Sequence, residues 1–168
     1  IRSNSVLLNW VTEYKEYKSS KLFSMIDNIL NSQQDRKESL GVCWQYYFPF
    51  NAHNTEKLNY KEYTSFIQFL RYSYYRPRDI ITMLDFLKQT VAVNYNKETF
   101  TLEDFGNNSF KSNYSLYILG EIKDQLLFYY QQEEYELFLK FFEFLNGRPG
   151  FNYTEYLSIY SEYSKYID

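Results

Sequence analysis

The sequence predicts a mainly α protein, and three observations carry that expectation. Breakers are scarce: 168 residues hold only 5 Gly and 3 Pro, too few for a many-turned β fold. Apolar residues recur at helical spacing, as in Ile80, Leu84, Leu87 and Val91. Capping residues stand just ahead of such runs, as Ser19 and Ser20 do before Leu22. The length suits one domain or two small ones, with mass enough for a real core.

Taken in order, Val6-Leu7-Leu8-Asn9-Trp10 reads as the end of a buried strand, and Thr12 to Lys18 as a charged connector. Ser19 or Ser20 caps a helix that buries Leu22, Phe23, Ile26, Ile29 and Leu30. Asn31 to Ser39 is polar and mixed in charge, and reads as a loop or a frayed helix end. Val42 to Phe50 is dense in rings around Pro49 and is expected to plug the core and seat a long loop, since no basic neighbours suit it to stacking on bases. His53 is expected to be solvated. Asn59-Tyr60-Lys61-Glu62 has the spacing of a capping box before a helix with Phe66, Phe69 and Leu70 that runs to about Tyr74. The next helix spans Pro77 to near Val91, and Asn94-Tyr95-Asn96 breaks it. Thr101 starts a short helix that Gly106 ends. Ser112 or Asn113 starts a longer one with Tyr117, Leu119, Ile122, Leu126, Leu127 and Tyr130 inward. Gly120 within it costs about 1 kcal/mol against alanine, which a close helix contact is expected to offset. A helix opening at Gln132-Glu133-Glu134 buries Leu137, Phe138, Phe141, Phe142 and Leu145 and stops at Gly147. After a turn at Arg148-Pro149-Gly150, Asn152-Tyr153-Thr154-Glu155 caps the last helix, lined by Tyr156, Leu157, Tyr160 and Tyr163.

Composition excludes several classes. The formal charge of −3, from 18 basic and 21 acidic residues, argues against a large nucleic-acid footprint. One cysteine, Cys43, leaves no internal disulfide, and one histidine, His53, leaves no Cys/His zinc site. No signal peptide or apolar span long enough for a bilayer is visible, so a cytoplasmic protein without a membrane partner is expected. The 20 Tyr and 15 Phe accompany Asn, Lys and Ile, which in part reflects AT-rich coding, and no ligand cage is read into them. The chain begins at Ile1 in sequence that reads as structured, so it is expected to be a fragment of something longer. Neither a Gly-rich phosphate loop nor a nucleophile elbow is present, and a complete enzyme is not expected.

One stretch carries more than packing: Tyr74-Tyr75-Arg76-Pro77-Arg78-Asp79. Pro77 suits a first helical turn, and the residue before it is pushed out of the helical region. Arg76 and Arg78 therefore stand at the positive end of a helix dipole, where an anion is favoured. Asp79 can pair with one arginine and leave the other solvated. Alternatively, one arginine reaches the phosphates of a nucleotide held by another domain, because its planar fork matches phosphate oxygens in pairs.

Arg76-Pro77-Arg78-Asp79 with Ile80, Ile81 and Leu84 resembles the start of a lid-domain helix in AAA-like P-loop ATPases. More narrowly, Asn4 to Trp10, Trp44 to Pro49, Tyr75 to Asp79 and the segment Tyr114-Ser115 through Leu119 to Asp124 resemble bacterial FunZ-like, STAND-related ATPases. The resemblance implies that residues 1–18 are a remnant of an ATPase core strand and its connector, 19–98 a helical lid, and 99–168 a helical, winged-helix-like module. It implies Arg78, or else Arg76, as nucleotide phosphate sensor, with Asp79 orienting it or steadying the helix start. ATP would be a cofactor of the full-length parent and not of this fragment, which has no catalytic or metal-binding residues of its own. The implied partner is the ATPase core of the same chain, with a protein partner or self-association beyond it. Wing strands would lie past Asp168 or be missing, and the last helix with Glu155 and Glu162 is poorly suited to phosphate, which weighs against a DNA role. The competing expectations are a stand-alone helical interaction module and a winged-helix nucleic-acid-binding domain.

Overall fold

The computed structural model describes residues 12–53, 62–148 and 150–167. The strand expected at Val6–Trp10, the cap at Asn59 to Lys61 and Pro149 of the last turn lie outside these. Among the described residues every regular element is helical, so the protein is mainly α. Contacts divide the chain into two compact units, one ending at Ser115 and one beginning at Leu116. The sequence places a boundary near residue 98. The division by contacts falls later because Phe105, Phe110 and Tyr114 join the first unit's core.

In the first unit, Ser20 caps α1 (Lys21–Asn31): its hydroxyl accepts the Phe23 N–H at 3.1 Å. Leu22, Phe23 and Ile26 are buried, while Ile29 and Leu30 are only half-buried. The ring-rich stretch is not all loop, since Val42–Tyr47 forms α2. Trp44 and Phe48 go to the core, as a plug should, and Tyr46 stays exposed. α3 (Ser65–Arg71) stops before Tyr72 and buries Phe66, Phe69 and Leu70. α4 (Pro77–Leu87) buries Ile80, Met83 and Leu87. It runs on through a π turn, Lys88–Ala92, into α5 (Val93–Tyr95), and Asn96 ends it at φ 48°. A 3-10 turn, Leu102–Gly106, begins with a capping box between Thr101 and Asp104, and Phe105 is buried. α6 (Asn108–Leu126) starts four residues earlier than Ser112.

The core of this unit is a continuous run of rings. Phe66 lies 4.9 Å from Phe23 and 5.0 Å from Trp44, both edge-on. Trp44 stacks on Phe48 at 4.5 Å, and Phe69 carries the run to Phe105 at 5.0 Å. Edge-to-face and offset pairs of this kind add to burial. Polar ring atoms are paired: Trp44 Nε1 donates to Ser65 Oγ at 2.9 Å, and the Tyr17 hydroxyl to the Tyr63 carbonyl at 2.9 Å. Asp27 is fully buried in α1 and accepts the Gly41 N–H at 2.8 Å and the Trp44 N–H at 3.2 Å. Gly41 has no side chain to cap α2 and sits at φ 87°, so Asp27 caps that helix from the neighbouring one.

The second unit comprises the rest of α6, α7 (Gln132–Phe144) and α8 (Tyr153–Ile167). Capping boxes at Gln131/Glu134 and Asn152/Glu155 start the last two helices, the second as the sequence predicts. Asn146 and Gly147 take positive φ after α7, the stop expected at Gly147. The expected inward set of α6 is corrected. The buried residues of this helix are Phe110 and Tyr114, whereas Leu119 and Tyr130 are exposed and Ile122 and Leu126 half-buried. Gly120 faces open space, since a Cβ there meets nothing within 4 Å, so no close helix contact offsets its cost. On α7 and its end, Leu145 is buried but Leu137 and Phe142 are exposed; Tyr135, absent from the expected face, is buried. On α8, Leu157 and Tyr160 are exposed and Ile159 takes the buried position. No described helix is long and apolar enough to cross a membrane.

Asp27→Ala should remove two charge-assisted bonds to α2 and lower unfolding free energy by about 3 kcal/mol. Urea unfolding followed by tryptophan fluorescence measures this, and a loss under about 1 kcal/mol would show that α2 does not depend on that cap.

Candidate functional site

The corner between α3 and α4 is built by local rules. Pro77 occupies the first position of α4, and Arg76 before it is extended, at φ −101° and ψ 141°. Residues three apart at a helix start share a side, so Arg76 faces Asp79. The guanidinium grips the carboxylate with both arms, Nε to Oδ2 at 3.1 Å and a terminal nitrogen to Oδ1 at 2.6 Å. Asp79 is 0% exposed and also accepts the Tyr74 N–H at 2.8 Å, while Arg76 lies 5.2 Å over the Tyr74 ring. Arg78 is adjacent to Asp79 in sequence, points to a different side of the first turn, and is exposed.

The backbone of the corner is tied from several directions. Tyr75 sits at φ 58°, a left-handed conformation that costs a non-glycine residue roughly 1–3 kcal/mol. Its N–H donates to Ser73 Oγ at 3.2 Å, and the Tyr72 carbonyl accepts the Tyr114 hydroxyl of α6 at 2.6 Å. The Tyr75 phenol meets Tyr14: the hydrogen bond between them, with burial added, pushes it up to about 12. Arg71 lies 5.8 Å over the Tyr14 ring. The connector that follows residue 12 is thereby docked beside the arginine corner.

The structure thus gives Asp79 a definite job, that of holding Arg76 and the Tyr74 backbone. It brings Arg76, Asp79 and Tyr74 together and leaves Arg78 on the outer side of the turn. Sequence reasoning gave no structural role to Tyr14, Tyr75 or Tyr114. Nothing in the sequence marks a left-handed tyrosine. No group of three or more His, Cys, Asp or Glu able to hold a metal occurs among the described residues. His53 is exposed, and Cys43 is a buried thiol pushed up by that burial and by Asp27 and Glu38. No known protein family, curated protein or solved structure matches this chain.

Arg76→Ala should strand a buried carboxylate and cost about 3 kcal/mol, whereas Arg78→Ala, at an exposed position, should cost about 1 kcal/mol or less. Removing Arg76 and Asp79 together should recover part of the loss, and unfolding curves of the three variants check the order. Folding raises the Tyr75 pKa, so its contribution to stability is whole below about 10, the value expected unfolded, and is lost as pH climbs towards about 12. Carbon-13 NMR of the tyrosine rings should show Tyr75 ionising after the exposed tyrosines. Tyr14→Phe should shorten that lag, leaving the part due to burial.

Proposed function

We propose that this chain is a nucleotide-sensing and coupling part of a cytoplasmic bacterial P-loop ATPase related to the AAA and STAND groups, not catalytic by itself. One observation carries the reading: Arg78 stands exposed in the first turn of α4, on a corner that Arg76 and Asp79 clamp. A guanidinium placed there offers a phosphate a charge-assisted fork, with the helix dipole favouring the anion. The residues fit ATP only as a contributed ligand. The phosphate loop and base pocket belong to an ATPase core upstream in the same polypeptide. The docking of Tyr14 against Tyr75 and Arg71 supports this, because it holds the connector at the corner.

The coupling follows from differential contact. An arginine binds a triphosphate more strongly than a diphosphate, so its engagement biases closure of the helical unit over the nucleotide. The Tyr72–Tyr114 bond ties the corner to α6, whose helix continues to Leu126 and beyond the first unit. Of the two sequence candidates, Arg78 takes the sensor role in this reading because its side chain is exposed, and Arg76 the structural one because it clamps the buried Asp79.

A second reading, a stand-alone helical interaction module, is favoured by the amount of apolar surface the second unit leaves uncovered. A winged-helix nucleic-acid role has less support, because acidic residues outnumber basic ones from Leu116 onward. The reading frame upstream of Ile1 separates the first two, for the ATPase reading requires a phosphate-loop motif there. In the intact protein, Arg78→Ala should then weaken triphosphate binding about tenfold with less effect on diphosphate. If turnover and binding are untouched by that change, Arg78 is no sensor.

A further inference from the structure

Three residues other than glycine take positive φ among those described, and two of them are asparagines at helix ends. Asn96 closes α5 at φ 48°, and Asn146 follows α7 at φ 50°. Asparagine tolerates that region because its short polar side chain bonds the local backbone. The third is Tyr75, at φ 58°, in the turn between α3 and α4. A tyrosine gains nothing locally from being left-handed. Such a residue persists only where its surroundings hold it, and residues held in this way gather at clamps and switches.

Part of the hold on Tyr75 comes from outside the turn. Its phenol shares a hydrogen bond with Tyr14, in the chain before α1. Arg71, in the last turn of α3, lies 5.8 Å over the same Tyr14 ring. Tyr14 thus touches the corner twice, ahead of the turn at Arg71 and within it at Tyr75. Its own turn is closed by the Glu16 N–H on the Glu13 carbonyl at 3.1 Å. Buried Thr12 and Tyr17 anchor the chain on either side, so this turn is a short strap across the corner. The strap itself lies at the surface: Tyr14 and Tyr75 are half-buried, and Glu13, Lys15 and Glu16 are exposed. The Tyr114 hydroxyl also ties the corner, at the Tyr72 carbonyl, but its ring is buried. Of these two ties, Tyr14 is the one that can swing away without opening the core.

We propose that Tyr14 is the pin of a latch on the arginine corner. While it engages Tyr75, the turn stays left-handed and Asp79 keeps its partners. When it swings away, Tyr75 relaxes and the first turn of α4 loosens. The forces are matched for this. Left-handed strain, one phenol hydrogen bond and one cation–π contact are of similar size, so losing Tyr14 tips a local balance and not the fold. Asp79 reports the state, because it accepts the Tyr74 N–H at 2.8 Å and the Arg76 Nε–H at 3.1 Å, one from each side of Tyr75. The latch therefore sets how firmly Arg76 and Arg78 are presented. It goes beyond the sensor reading and stands whether or not Arg78 meets a phosphate.

NMR of the whole chain tests the latch, since the Cα and Cβ shifts and the N–H to Hα coupling at residue 75 follow its φ. Tyr14→Phe loses the phenol bond, and Tyr14→Ser loses the ring as well. Both should draw residue 75 out of the left-handed region, Tyr14→Ser further than Tyr14→Phe. Both should also speed hydrogen exchange at the Tyr74 amide and Arg76 Nε–H about tenfold. Should Tyr14→Ser fail to fold, Tyr14→Phe decides. Tyr75→Asn should stay left-handed even when combined with Tyr14→Phe, as Asn96 and Asn146 are without such a pin. If the φ of Tyr75 is unchanged in the Tyr14 variants, whatever the urea midpoint does, the contact only adds stability and the latch is overturned. The proposal also fails if Tyr75→Asn leaves the left-handed region on loss of the Tyr14 hydroxyl, for then strain is not what Tyr14 restrains.

Discussion

A carboxylate is tolerated in an apolar interior only when its oxygens are taken up, and the first unit meets that condition twice. Asp27 spends its oxygens on the N–H groups of Gly41 and Trp44, and Asp79 spends its own on Arg76 and the Tyr74 N–H. Among the described residues no buried side-chain polar atom is left unpaired. These acids do what the ring core cannot. Rings supply burial but little direction, whereas a carboxylate that must collect specific N–H groups determines where α2 begins and how α4 leaves the corner.

The aromatic load also has a polar use. Tyr17 and Tyr114 bury their rings and send their hydroxyls to the carbonyls of Tyr63 and Tyr72, which lie in segments that lack helical partners for them. A phenylalanine in either place would fill the same space and strand an acceptor. The left-handed Tyr75 persists for the same reason. Its neighbours Tyr72, Tyr74 and Arg76 are each tied down, so relaxing its φ would break several bonds to relieve one strain.

Short-range chemistry was the legible part. Ser20, Thr101 with Asp104, and Asn152 with Glu155 announce their helices because a cap and its target are three residues apart. The clamp at the corner was half legible: a pairing of Asp79 with one arginine was among the readings, and three-residue spacing selects Arg76 over the adjacent Arg78. The inward face of α6 was not legible, because apolar residues stand all round it and which side is covered depends on distant partners. Phe110 and Tyr114 found those partners in Phe105 and Tyr72, whereas Leu116 and Leu119 remain exposed. Asp27 left a signal that sequence reasoning passed over, an acid set among Leu22, Phe23 and Ile26 on an apolar face.

The contrast along α6 has a dynamic consequence. Its first half is held by buried rings and a short hydrogen bond, so opening it means opening the first unit's core. Its second half carries Leu116 at 66% exposure and belongs to a unit with little interior of its own. Local opening is cheap where few apolar contacts are lost, so one continuous helix spans a rigid and a permissive region. A ligand can shift an equilibrium only by its different affinity for the two states. The permissive half is therefore where an occupant of the second unit has most to gain by ordering what it covers. Within α6 the change of character falls between Tyr114 and Leu126, and Gly120, where a Cβ would meet nothing within 4 Å, is the point in that stretch with the least to hold it straight.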